Sequence, residues 1–470
     1  MNPSDSPRVV RSAQLPAEAA QVPMAIVGGG ACGLTAALML ADAGIECVVL
    51  ERDAAPSGST ALSSGFIPAA GTQAQRAQGI ADSPEQFARD IQAKAHGNAA
   101  PHLVQAYANA VGPALDALAQ RHGLQFEVLQ GFLYPGHTVE RMHAVPERTG
   151  AALMTRLQRA ADAAGIAVMT EALVRELWVG EGGQVIGLGC QRPDGRMERL
   201  RCRAVLLACN GFGGNPELVR ELLPEMAAAT FAGHVGNDGS AIAWGRALGA
   251  RLADLGGYQG HGSWATPQGV LISWALMTEG GIQVNREGRR FHDETQGYSE
   301  AAVQVLAQPG GVAWDVFDGA LLAFARGFPD FVEAEAAGAV RHADDVPALA
   351  SLIGCEPAAL AATLAGMQPG AVAADGRRFN RSLAPPFHAV KVTGALFHTQ
   401  GGLDIDAQCR VLHQDGAPWP NLLAAGGAAR GVSGNAVWGY LSGNGLLSAV
   451  AGGAIAARTA AQFLASKESP

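Results

Sequence analysis

Apolar positions near the start of the chain fall in blocks with a helical stripe between them. Residues 24–27 form a continuous apolar run that ends in Gly28, Gly29 and Gly30. Apolar positions at helical spacing follow from 31 to about 43, where Gly44 stops them, and residues 47–50 form a second apolar run closed by Glu51. Short continuous runs bounded by turn residues read as strands buried on both faces. Strand, glycine turn, helix and strand in that order open a doubly wound α/β sheet.

Further along, 83–122 reads as helical, with Ser83-Pro84-Glu85 as its cap and first turn. A second amphipathic helix spans 149–165. Strand patterns follow at 167–170, 172–178 and 185–190, and the buried run 205–209 leads into Asn210-Gly211-Phe212-Gly213-Gly214. Between about 259 and 384 the texture changes to alanine-rich helical stretches (320–326, 346–353, 357–367) without a glycine-rich phosphate turn. This region reads as an inserted α+β domain that caps a substrate. The sheet domain resumes with 394–403 and ends in a helix from 444 to 464. The expected division is a disordered tail at 1–22, a Rossmann-type nucleotide-binding domain in two parts (23–258 and 385–470) and the cap at 259–384.

Composition narrows the function classes. A net charge of -9 without a Lys/Arg block argues against nucleic acid as a partner. The seven cysteines (32, 47, 190, 202, 209, 355, 409) make no C-x-x-C pair, so they read as reduced thiols and as no metal site. No window approaches the ~20 apolar residues of a membrane span. Residues 1–22 lack the apolar core of a signal peptide, so the chain is read as cytoplasmic.

The segment from Val27 to Gly33 carries G-x-G-x-x-G. Gly28 permits the tight turn, Gly30 lets backbone approach a pyrophosphate, and Gly33 lets helix and strand pack closely. Ala31 and Cys32 open the helix, whose free N–H groups and positive dipole end suit phosphate. Glu51, with Arg52 after it, is placed to accept ribose hydroxyls. The motif alone does not separate FAD from NAD.

Three distant segments make that separation by resemblance. They are Ser59-Thr60-Ala61-Leu62-Ser63-Ser64-Gly65; Ala208-Cys209-Asn210-Gly211-Phe212-Gly213, which resembles an A-T-G-G-F-G turn; and Ala424-Ala425-Gly426-Gly427 with Ser442-Gly443-Asn444-Gly445-Leu446-Leu447. Together they resemble the flavoprotein family of fumarate reductases, succinate dehydrogenases and 3-ketosteroid Δ1-dehydrogenases, over residues 24 to about 465. Gly281-Ile282-Gln283-Val284-Asn285-Arg286-Glu287-Gly288-Arg289-Arg290-Phe291 matches the family's V-N-x-x-G-x-R-F. The resemblance implies a glutathione-reductase-like FAD-binding domain and adds Leu173, Val174 and Asp238 to the cofactor contacts. Two departures matter. Ser59 stands where covalent members carry a tethering histidine, so FAD is expected to be non-covalent. Gly427 stands where the family has a ribitol-binding glutamate.

The catalytic positions depart further. The arginines with which fumarate reductases clamp carboxylates and donate a proton fall at Tyr298, Tyr440 and Met277. Tyrosines at the first two resemble the ketosteroid dehydrogenase branch. There, one tyrosine takes a proton from the carbon beside a ketone and another hydrogen-bonds the carbonyl oxygen. Tyr298 fits the first role, Tyr440 the second, and Tyr134 a supporting one, with Asn444 where that branch has glycine. His261 and His398 fall where family members place substrate-orienting histidines, while His143 is a weaker candidate. Trp274 and Trp438 are candidates for an apolar wall, and Arg430 for a substrate carboxylate.

The chemistry is coherent on its own terms. Removing hydride from Cβ requires charge to build on Cα, and a ketone absorbs it as an enolate if a base and oxygen donors are present. A tyrosine with a free pKa near 10 needs nearby donors or cations to serve as that base near neutral pH. The expectation is α,β-desaturation of a cyclic ketone smaller than a steroid, of the 4-oxocyclohexanecarboxylate type, with hydride passing to flavin N5 and an external electron acceptor. The alternatives are an enzyme of carboxylic acids, such as a fumarate reductase or tricarballylate dehydrogenase, and a non-catalytic flavoprotein.

Overall fold

The computed structural model describes residues 6–131 and 133–466, and the chain forms two compact units. The first comprises the chain up to Leu218, Gly233–Tyr258 and the part from His398 onward; the second comprises Val219–Ala232 and Gln259–Phe397.

The first unit is built on a nine-stranded mixed sheet. Its strand Ala20–Val27 pairs in parallel with Cys47–Leu50 on one side and with Met197–Leu207 on the other. All four residues of Cys47–Leu50 are buried, as a parallel strand covered on both faces requires. The long strand Met197–Leu207 divides its other edge. Its first half pairs antiparallel with Val185–Gln191, and its last residues pair in parallel with Pro418–Ala424. Val27, Leu50, Leu207 and Ala424 therefore finish in register. The carboxyl ends of parallel strands are where such sheets bind ligands. The helix Ala31–Asp42 leaves from that end, and the terminal helix Asn444–Ser466 packs against it and against Pro101–His122.

Several expectations are corrected. The tail read as disordered over 1–22 contains a strand, Arg8–Arg11, paired in parallel with Leu173–Val179; residues 1–5 lie outside the described residues. Glu176 on that partner strand is buried, and Arg8 and Arg199 supply its cations. The helical stretch read over 83–122 is two helices, Pro84–Lys94 and Pro101–His122, parted where Gly97 takes a φ of +75° and Pro101 starts the second.

The second unit holds a seven-stranded sheet in which Val312–Asp318 pairs antiparallel with both Ile282–Val284 and Phe387–Thr399. The cap was read to end at 384, but this last strand carries the second unit on to Phe397, because its register with Val312–Asp318 runs from Phe387 to Thr393. Asp318 and Asp345 cap the helices Gly319–Ala325 and Val346–Ile353. Among the described residues no single helix is long and apolar enough to cross a membrane, and no cluster of His, Cys, Asp and Glu is placed to hold a metal ion.

Candidate active site

In the first unit, Gly28 takes a φ of +108°, and a Cβ on it would lie 2.5 Å from the Ala208 carbonyl oxygen. A Cβ on Gly33 would lie 2.0 Å from the Gly28 oxygen, so helix and turn touch backbone to backbone. Gly30 is the N-cap of Ala31–Asp42 and offers no side-chain cap; a Cβ there would meet only the Thr60 hydroxyl, at 3.6 Å. That hydroxyl accepts the Ala31 N–H at 3.2 Å. The rest of the first turn keeps its amide donors for a ligand. Burial, then Cys209, pushes the Cys32 thiol up to about 12, so no thiolate competes with a phosphate here.

Glu51 is buried, and its two carboxylate oxygens accept the N–H groups of Gly29 at 2.8 Å and Asp53 at 3.0 Å. Each oxygen retains a lone pair for a ribose hydroxyl. The Ala172 N–H donates to the Glu51 carbonyl, which sets Leu173 and Val174 beside it. Arg52 reaches the Gly236 carbonyl at 2.9 Å and Asp238 at 3.1 Å, while the other Asp238 oxygen accepts from the Ser240 N–H and hydroxyl. Arg52 and Asp238 thereby fix the 236–240 turn. A helix start without a cap, a fixed acidic strand end and a hydroxyl-bearing segment after it form a donor set that fits FAD.

The hydroxyl segment is not uniform. Ser59 accepts the side-chain amides of Asn210 and Asn237, each at 2.9 Å. Ser63 is engaged within its own loop, donating to the Thr60 carbonyl and accepting the Gly65 N–H; Ser64 is exposed. Gly211 packs on Thr399, and Gly427 faces Asn210.

At the start of the terminal helix the side chains form a directed chain. The Asn444 amide donates to Ser433 at 3.0 Å, the Ser433 hydroxyl donates to Gln400 Oε1 at 3.0 Å, and Gln400 Nε2 lies 3.2 Å from His398 Nδ1. The shorter contact, from Gln400, makes Nδ1 an acceptor and leaves the proton on Nε2, in competition with the Thr399 carbonyl at 3.4 Å, which asks for a proton on Nδ1. His398 Nε2 packs against Gly445, where a Cβ would come within 2.8 Å, and its ring meets Tyr440 edge-on at 5.6 Å. Burial raises the Tyr440 phenol well above its ordinary pKa, against the pull of the Gly445 and Gly443 backbone N–H groups. Leu446 and Leu447 continue the helix, the second fully buried. Tyr134 is half-buried beside Phe66, at 6.4 Å between ring centres.

Sequence reasoning missed His137 and Arg141. His137 Nε2 donates to the Ser442 carbonyl at 3.0 Å, directly before Gly443, and Arg141 stands behind it at 3.4 Å. Histidine and arginine in an irregular stretch carried no periodic signal. His143 is structural, with its ring held between the Thr72 hydroxyl and the Arg141 carbonyl.

In the second unit, Tyr298 is the first residue of the helix Tyr298–Leu306 and follows Gly297. Its ring stacks on His261 at 4.9 Å and 19°. His261 also meets Phe397 face-on and Trp274 edge-on. Trp274 is anchored by its N–H to the Glu294 carbonyl at 3.0 Å. Trp438, the other candidate wall, is instead exposed and lies over His96. Met277 belongs to the buried core of the second unit. Arg430 in the first unit is clamped by Asp254, at 2.6 Å and 3.3 Å, and by Asp404 at 3.4 Å, which leaves it no carboxylate-binding role.

Burial holds three of these imidazoles neutral: His137 and His398 are pushed down to about 4 and His261 to about 3. Their folded values lie below those of the unfolded chain, so the unfolded state gains protons as pH falls below about 6.5. Stability is present above that pH and is lost on descent toward the folded values. The melting temperature is expected to fall between about pH 6.5 and pH 4. His261→Phe, which keeps the stack without the titration, should make the fall shallower; an unchanged slope would count against burial as its cause.

Parallel strand ends, the bare glycine turn and the fixed Glu51 define a dinucleotide-binding protein, and the family match makes the dinucleotide FAD. The chain belongs to the family described as FAD binding domain, a family of FAD-dependent oxidoreductases, whose model matches residues 24–446. It is 28% identical to a probable fumarate reductase of Shewanella frigidimarina, over 96% of this chain and 76% of that protein. It is 27% identical to the NADH:fumarate oxidoreductase of Klebsiella pneumoniae, over 93% of this chain, and spans only 47% of that protein's length. A 4-oxocyclohex-2-ene-1-carboxylate 5-dehydrogenase of Sinomonas cyclohexanicum is 25% identical over 94% of both chains. Among solved structures, the open form of a flavocytochrome c3 fumarate reductase matches with a TM-score of 0.81 and 26% identity over 95% of this chain and 79% of that one. The 3-ketosteroid-Δ4-(5α)-dehydrogenase of Rhodococcus jostii matches with a TM-score of 0.76 and 25% identity over 96% and 99%. The family resemblance read from the sequence is thus present among the relatives.

Proposed function

We propose that the chain desaturates a small cyclic ketone between Cα and Cβ, with FAD held non-covalently and reoxidised by an external acceptor. The observation that carries this reading is that the candidate groups of each unit are neutral. Burial keeps His261 and His398 unprotonated and Tyr440 protonated, and Arg430 is already paired. Reaction next to a carboxylate calls for cations at the reacting end, whereas an enolate calls for hydrogen-bond donors at its oxygen and a base at Cα.

The roles follow. Tyr298 takes the Cα proton. Tyr440, its oxygen backed by two backbone N–H groups, donates to the carbonyl oxygen, and His398 offers Nε2–H as a second donor. Bound FAD supplies the two-electron acceptor for the hydride lost from Cβ. The name of the Sinomonas relative, a dehydrogenase of a cyclic keto acid, supports this substrate class; the names of the fumarate-reducing relatives favour the second reading, an enzyme of carboxylic acids.

Mixing the oxidised protein anaerobically with candidate substrates separates the two. Loss of the flavin absorbance band is expected with cyclohexanones and 4-oxocyclohexanecarboxylate. Bleaching by succinate or tricarballylate alone would overturn the proposal.

A further inference from the structure

We propose that residues 210 and 427 form an exchanged pair that decides how this chain grips FAD: the polar arm comes from Asn210 through Ser59, and residue 427 must stay bare. The family resemblance puts glycine at the first position and glutamate at the second; this chain has asparagine at the first and glycine at the second.

The exchange is steric. Asn210 sits on left-handed backbone, at a φ of +63°, which asparagine tolerates better than other residues with side chains. From there its side chain fills the space beside Gly427, where a Cβ would lie 2.1 Å from Asn210 Oδ1 and 3.1 Å from its Cγ. Asn210 is not free to swing aside. Its Nδ2 donates to the Ser59 hydroxyl at 2.9 Å, and its Oδ1 accepts the Gly211 N–H at 2.8 Å. Any side chain at 427 therefore breaks the Asn210–Ser59 contact.

That contact is polarised. Ser59 oxygen accepts two amide donors, from Asn210 and from the buried Asn237, each at 2.9 Å. A hydroxyl has two lone pairs and one proton. With both lone pairs taken, Ser59 is a donor only, suited to an acceptor oxygen of the phosphate–ribitol chain of FAD. Asn210 Oδ1 keeps a lone pair for a ribitol hydroxyl. Asn210 and Asn237 are thus positioning residues, and Asn237 joins a site whose other members were legible in the sequence. The proposal rests on FAD binding alone and stands whether the substrate is a ketone or an acid.

The test is a mutant cycle read as FAD affinity, by titrating apoprotein and following the quenching of FAD fluorescence. Gly427→Ala is expected to weaken FAD about tenfold by pushing Asn210 off Ser59. The same change in an Asn210→Gly background, where the arm is already gone, is expected to cost nothing further. Equal losses in both backgrounds, or no loss from Gly427→Ala alone, overturn the proposal. Far-UV circular dichroism of each apoprotein reports folding. If Gly427→Ala does not fold, Ser59→Ala removes the hydroxyl without entering the space. It is expected to weaken FAD about tenfold, with Asn210→Gly adding nothing to it; unchanged affinity in Ser59→Ala overturns the proposal.

Discussion

Replacing Tyr298 by phenylalanine is expected to lower kcat by about 10²- to 10⁴-fold, while the protein stays folded and keeps its FAD. The ring is what the structure uses for packing. It stacks on His261 at 4.9 Å and joins the apolar cluster that contains Trp274 and Met277, and phenylalanine preserves both contacts. The hydroxyl is what the proposed chemistry uses. Tyr298 opens its helix, and the positive end of a helix favours negative charge on the residue that stands there. Neutral His261, buried among aromatic rings, shapes the surroundings of the phenol without carrying a charge of its own. Because a base acts only as the Cα proton leaves, kcat and kcat/KM should fall together with KM little changed. A Tyr298→Phe protein with full turnover on every active substrate would remove Tyr298 from the role of base.

The cofactor half of the molecule was legible because its signals are local. A run of apolar residues, a glycine turn with fixed spacing and an acidic strand end lie within one short segment, and the backbone closes over Gly28 and Gly33 as those residue types demand. What the sequence hid is long-range. Arg8–Arg11 lacks the apolar run of a strand and becomes one because buried Glu176 needs cations. The strand that carries the second unit to Phe397 was read only from 394, because its earlier part takes its meaning from pairing with Val312–Asp318. Arg430 looked available until Asp254 and Asp404, far from it in sequence, were placed around it. The chain from Asn444 through Ser433 and Gln400 to His398 joins four polar residues with no spacing rule between them. Motifs announce where backbone must go, while the partners of a charged or polar side chain are set by topology.

The largest stability effect is expected at Arg141, outside every motif. Its side chain is fully enclosed, with Nε and Nη2 at 2.9 Å and 3.0 Å from the two oxygens of Asp82, Nη1 on Asp90, and its guanidinium carbon 4.7 Å above the Phe87 ring. Burial alone would oppose the charge on Asp90, but the Thr138 N–H, the Arg141 guanidinium and the Thr138 hydroxyl outweigh it and hold that carboxyl below its usual range. Arg141→Leu keeps much of the volume and leaves two enclosed carboxylates without a cation. The expected loss is about 3–5 kcal/mol, a drop in melting temperature on the order of 10 °C for a unit of this size. The sign with pH is specific. In the wild type, Asp90 stabilises the fold above the ordinary carboxylate pKa and loses that contribution as pH falls through its lower folded value. In the variant the bare Asp90 carboxylate is relieved by protonation, so the gap between the two proteins should narrow from about pH 7.5 to about pH 4.5. Arg141→Lys should recover only part of the loss, because an ammonium cannot span Asp82 and Asp90 as the planar fork does. Through His137 the same change loosens the Ser442 carbonyl ahead of Gly443, so FAD should also bind more weakly in both variants. Melting curves at the two pH values decide it: an Arg141→Leu protein as stable as the wild type at both would mean that the guanidinium does not hold these carboxylates.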